Sequence, residues 1–244
     1  MVLYLIVAVT ALAAGIIKTG FGVGAGIFLT PILALMVGPK QAVGLMSPMM
    51  LITDVLTLYV FWGKWDWKQI KVIFPGTVLG TIFGAYYLFW ASPSIAKVTI
   101  GIIAVVFSSM QMYKVENPSV FQKFKLRTWH GVLTSFFSGT ASAIANAGGV
   151  VVTIYLVSTG LSKEAFIATL VSVLLISDMS KFVLYTHLNI LTREFLLIGL
   201  ALTPVMLLGS WLGRKLLERL NERQYVLYIN VLVFISGIIL LINH

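Results

Sequence analysis

The chain has no cysteine, and only 8 of its 244 residues are acidic. The first absence excludes disulfides and thiol chemistry and leaves the redox compartment unreadable. The scarcity of carboxylates, with His130, His187 and His244 too scattered to gather round one ion, leaves no metal site and no cofactor to expect. Serines are plentiful, but no Gly-x-Ser-x-Gly elbow with a His-Asp partner set occurs, so no enzyme is expected. Charged residues of both signs make up 10% of the chain and hydrophobic ones 59%. Apolar stretches recur from end to end, which defines a polytopic membrane protein in contact with a lipid bilayer. A net charge of +9 would point to nucleic acid in a soluble protein. Here the basic residues sit between apolar segments, as topology signals do, and no nucleic-acid partner is expected. Residues 1–15 carry Ala11-Leu12-Ala13-Ala14 but no Lys or Arg ahead of the apolar stretch, so they read as structure and not as a signal peptide.

One stretch breaks the first apolar run. Lys18-Thr19-Gly20-Phe21-Gly22-Val23-Gly24-Ala25-Gly26 interrupts residues 2–37, which as a single helix would be about 50 Å long against a bilayer core of roughly 30 Å. The alternate glycines weaken a helix there, and Lys18 puts an ammonium beside the freed backbone groups. Irregular backbone and charge are tolerated at membrane depth only inside protein or a watery cavity.

After the turn Gly38-Pro39-Lys40, apolar spans are expected at residues 42–62, 70–90 and 95–113. Asp54 lies within the first of them, and Trp65-Asp66-Trp67 reads as an interfacial connection. Gly76, Gly80 and Gly84, four apart, form a stripe that admits a neighbouring helix backbone. Residues 114–128 are the only long polar connection, expected to be a cytoplasmic loop joining a first repeat (1–113) to a second (129–244) of one transmembrane domain. The repeat runs at an offset of 124 residues: Gly15 matches Gly139, Gly24 matches Gly148, and Leu51-Ile52-Thr53-Asp54 matches Leu175-Ile176-Ser177-Asp178. The second break is then Ser142-Ala143-Ile144-Ala145-Asn146-Ala147-Gly148-Gly149, followed by spans at residues 165–185, 195–212 and 225–242.

Charge bias decides how the broken segments run. If both cross the membrane, the fifteen flanking Lys and Arg divide eight to seven; if both dip in and return, Lys40, Lys97 and Arg193 face the other twelve. The positive-inside rule favours the second arrangement, with both termini outside the cytoplasm. Each half then has a re-entrant hairpin and three full spans. Odd-numbered halves are inverted relative to each other, so the expected fold is an all-α polytopic membrane protein of two inverted repeats, with broken helices meeting near the midplane.

In each hairpin the returning half-helix starts at the glycine-rich break, so its free N–H groups and positive dipole end point inward, as an anion site requires. The candidate substrate-binding residues are Lys18, Gly20, Gly22 and Gly24 in the first break and Asn146, Gly148 and Gly149 in the second. Asn146 either donates to an anion or caps the returning helix. Asp54 and Asp178 occupy equivalent helix interiors, where an aspartate costs about 3 kcal/mol on insertion scales. Lys181, one turn beyond Asp178, is placed to pair with it, and Lys18 with Asp54. These groups serve as helix-locking ion pairs or in proton coupling; Asp54, without a lysine on its own helix, is the candidate proton carrier and Asp178 the structural partner.

The order of these motifs resembles the sulfite exporter TauE/SafE family of membrane permeases. The matching features are the glycine-rich stretch from Lys18 to Gly26 leading to Pro31-Ile32-Leu33, the intramembrane Asp54, Trp65-Asp66-Trp67, and Phe74-Pro75-Gly76 with Gly80 and Gly84. The second half departs from the pattern, with Ser142 where the first has Lys18. The resemblance implies transport of small sulfur-containing anions, such as sulfite or organosulfonates, outward across a bacterial inner membrane. Residues alone support an anion transporter working by alternating access, with an anion channel, an intramembrane enzyme or a helical scaffold as alternatives. A homo-oligomer is left open.

Overall fold

A computed structural model describes residues 8–16, 25–116, 127–217 and 222–243. The described secondary structure is entirely helical: α1 (residues 8–16), α2 (Ala25–Val37), α3 (Pro39–Val60), α4 (Trp67–Trp90), α5 (Pro93–Glu116), α6 (Thr128–Ala145), α7 (Gly148–Val157), α8 (Lys163–His187), α9 (Arg193–Ala201), α10 (Thr203–Leu217) and α11 (Glu222–Ile242). Among the described residues, α3, α4, α8 and the Pro93–Lys114 part of α5 are long and apolar enough to cross a membrane. The fold is that of an all-α polytopic membrane protein.

Local chemistry sets the helix ends. Gly38, at φ 94°, ends α2, and Pro39 then starts α3 at a position where its missing N–H costs nothing. Asp66 caps α4 by accepting from the Gln69 amide at 2.9 Å, between Trp65 and Trp67, whose rings meet edge to face. The span expected over residues 195–212 is instead two helices, parted at Leu202. Pro204 explains the difference: it lacks the N–H that would continue the bonding ladder, and the apolar residues on both sides hide the break from a hydropathy reading.

Three contacts collect one end of the bundle: the Lys40 ammonium on the Phe89 carbonyl (2.7 Å), that of Lys97 on the Asn243 carbonyl (3.0 Å), and Gly44 against the Ile190 carbonyl. The other end holds Lys64 on Glu164 (2.6 Å), the Asp66 amide on the Thr169 hydroxyl (2.9 Å) and Tyr155 on Gln69 (2.9 Å). Helices α3 and α8 therefore run antiparallel, in a register that sets Asp54 at about the depth of Ser177 and Asp178. The glycine stripe of α4 packs on α6. A Cβ on Gly76, Gly80 or Gly84 would lie 2.3, 1.9 or 2.7 Å from the carbonyls of Val132, Phe136 or Thr140, so the two backbones touch as the spacing predicts.

Candidate functional site

Helices α6 and α7 fold back on each other. Gly131 lies against Tyr155 near their outer ends, and deeper in Ser138 donates to the Gly148 carbonyl at 2.8 Å, so the two run antiparallel with a tip at Asn146 and Ala147. Asn146 closes α6 in the left-handed region (φ 52°, ψ 31°), which asparagine tolerates better than most residues. Its amide bonds the Ser142 carbonyl at 2.9 Å and that of Ala147 bonds the Ala141 carbonyl at 3.1 Å. Helix α7 then starts at Gly148 with no side-chain cap, although Gly148, Gly149 and Val150 are buried. Its first N–H groups are the kind of buried donors that a helix start leaves over.

Helix α8 lies across this tip. Lys181, 1% exposed, places its ammonium 2.6 Å from Asp178 Oδ1, 2.7 Å from Asn146 Oδ1 and 3.4 Å from the Ser142 carbonyl. One turn on, the Tyr185 hydroxyl donates to the Ala143 carbonyl. Side chains of α8 thus reach carbonyls in the last turn of α6: Tyr185 satisfies that of Ala143, and Lys181 adds a second donor to that of Ser142. Ser177 donates to the Ser142 hydroxyl at 2.9 Å and is itself bonded to Thr81 of α4 at 3.0 Å. All of these groups are buried, and the charges among them are tolerated because Lys181 and Asp178 are paired and the ammonium is hydrogen-bonded to Asn146 and Ser142.

Asn146 also joins the two halves of the chain. While its Oδ1 accepts from Lys181, its Nδ2 donates to the Thr30 hydroxyl at 3.1 Å, and Thr30 donates in turn to the Met46 sulfur at 3.4 Å. A Cβ on Gly26 would fall 2.3 Å from the Asn146 Cβ, so the first turn of α2 is pressed against the tip of the α6–α7 hairpin.

Of the residues singled out in the sequence, the structure brings together Asn146, Gly148, Gly149, Asp178 and Lys181. Asp54 is buried at 2% exposure on α3 and is not without a partner. Lys18, Gly20, Gly22 and Gly24, and with them the expected Lys18–Asp54 pair, lie outside the described residues. Sequence reasoning does not single out Thr30, Thr81 or Tyr185. A threonine on an apolar helix carries no signal by itself; the adjacency of Ser177 to Asp178, echoed by Thr53 beside Asp54, was the available hint.

Buried ionic and hydroxyl groups converge on the uncapped start of a half-length helix inside a bundle of apolar spans, which defines a polytopic membrane protein with a polar interior site. The family model described as "Sulfite exporter TauE/SafE" matches residues 7–240, and the chain belongs to that family of membrane permeases. No curated protein and no solved structure matches the chain at a significant level.

Proposed function

We propose that this protein is a secondary transporter that carries a small sulfur-containing anion, sulfite or an organosulfonate, outward across the bacterial inner membrane by alternating access. The observation that carries the reading is the buried, uncapped start of α7 at Gly148, two residues after Asn146, which is itself held between Lys181 on one side and the start of α2 on the other. Unpaired N–H groups and a positive dipole end bind an anion in a medium where no water competes. The family supports the sulfur-containing class. In this reading Lys18 with Gly20, Gly22 and Gly24 completes the site from the first break, and residues 1–113 and 129–244 are inverted repeats with re-entrant hairpins. The Lys64 end is cytoplasmic and both termini are outside. Asp54 accepts a proton as the anion arrives, and Asp178 holds Lys181.

The test is flux of labelled sulfite into proteoliposomes. Saturation, and acceleration by unlabelled sulfite on the far side, are expected of a carrier. Non-saturating flux without exchange would make the protein a channel, and no flux of sulfite or sulfonates would end the reading.

A further inference from the structure

We propose that Lys181 sets how tightly the second half of the chain holds the anion, with Asp178 as its resting counter-ion. The inference rests on the anion-transport reading and adds to it a residue whose charge fixes affinity. A buried ammonium has three N–H groups to satisfy, and the placement of its acceptors shows where its charge acts. Here one acceptor is Asp178 on its own helix, and the other two, Asn146 Oδ1 and the Ser142 carbonyl, are at the break itself.

The electrostatics of the break give that placement its meaning. The negative end of α6 and the positive end of α7 are only two residues apart, so their fields largely cancel unless one is compensated. Lys181 compensates the α6 end through Ser142 and Asn146, while the α7 end has no side-chain cap. What remains is a net positive potential at Gly148 and Gly149. The sequence repeat points the same way: Ser142 stands 124 residues after Lys18, so the second break has no lysine of its own, and the ammonium of Lys181 reaches the carbonyl of that residue from α8. Asp178 tempers this charge when no anion is present. A dianion such as sulfite offers the ammonium an oxygen acceptor in competition with the carboxylate, with no bond made or broken beyond hydrogen bonds and ionic contacts.

Two neighbouring substitutions should then act in opposite directions. Purified wild type, Lys181→Met, Asp178→Asn and the double variant are titrated calorimetrically with sodium sulfite and with methanesulfonate at one pH, and their melting is followed with and without sulfite. Lys181→Met should weaken sulfite binding on the order of 1,000-fold, the effect of two unit charges about 4 Å apart at an effective dielectric near 20. Asp178→Asn should tighten it about tenfold, and sulfite should raise the melting temperature of this variant more than that of wild type. The double variant, which leaves no unpaired charge, should fold and bind as weakly as Lys181→Met. Equal affinity of wild type and double variant overturns the inference and leaves the transport reading standing, as does weaker binding by folded Asp178→Asn. A double variant that does not fold also counts against it, since that is how a pair kept for packing behaves. If wild type binds neither probe, both readings fall.

Discussion

A single methyl group added at Gly80 tests whether the α4–α6 contact holds the site in place. By helix propensity alone, Gly80→Ala should stabilise α4 by up to about 1 kcal/mol. Packing opposes this: the new Cβ would lie 1.9 Å from the Phe136 carbonyl oxygen and 2.8 Å from its carbon, against the backbone of α6, which cannot turn aside as a side chain can. The helices must separate by over ~1 Å, and overpacking of this kind costs about 1–3 kcal/mol. The Thr140 hydroxyl, 3.2 Å from the Gly80 carbonyl, keeps its shorter bond to the Phe136 carbonyl at 2.9 Å and adds little to the cost. The net is a destabilisation of roughly 1–2 kcal/mol, read as a melting temperature lower by about 2–8 °C in detergent. Gly84→Ala, with its nearest backbone oxygen at 2.7 Å, should fall less, and Gly237→Ala, facing a Val105 methyl at 2.9 Å, least of the three. Because α6 carries Ser142 and leads into Asn146, sulfite affinity should fall more for Gly80→Ala than for Gly84→Ala and stay unchanged for Gly237→Ala, which packs on α5. Gly80→Ala melting at or above the wild-type temperature would refute the argument.

Other outcomes follow from the same geometry. In the cysteine-free chain, single cysteines at Gln41 and Lys97 should label from outside intact cells and one at Lys68 only after permeabilisation; the reverse pattern would invert the proposed orientation. Lys18→Gln should lower sulfite affinity of the purified protein while leaving insertion and folding intact, and unchanged affinity would reduce Lys18 to a packing or ion-pair residue. Asp54→Asn should weaken the dependence of flux on the proton gradient while sparing binding, whereas Asp178→Asn should lower anion-free stability by about 3–5 kcal/mol by stranding Lys181; equal loss of coupling in both with unaltered melting would overturn that division. Glu164→Gln should change stability by less than about 1 kcal/mol, because its pair with Lys64 is 2.6 Å long but half exposed.

Much of the helical framework is legible in the sequence because it rests on local signals. The turn at Gly38-Pro39-Lys40 falls where α2 gives way to α3, and the spacing of Gly76, Gly80 and Gly84 announces a close neighbour. The three-residue step from Asp178 to Lys181 puts both groups on one face. What the sequence hides is long-range partnership. Asn146 bonds Thr30 from 116 positions away, and Thr81 bonds Ser177 from 96 positions away. Nothing in a threonine flanked by apolar residues says whether its hydroxyl turns back to its own helix, as Thr53 does to Met49, or outward to another. The parting of α9 from α10 is hidden for a related reason: hydropathy stays high across Leu202, and only Pro204 marks the loss of a backbone bond.

The contact between Gly26 and Asn146 has a mechanical consequence. Surfaces that leave no room for a methyl cannot slide past one another, yet they can tilt about the point where they touch. If the two halves of the chain rock, this point is the natural pivot, and the half-helices attached to it act as levers. Helix α7, about 15 Å long, would carry its far end only roughly 2.6 Å for a tilt of about 10°. The ends of the longer helices, farther from the pivot, would sweep through larger arcs. Displacement should therefore be smallest around Asn146 and grow toward Lys40 on one face and Lys64 on the other.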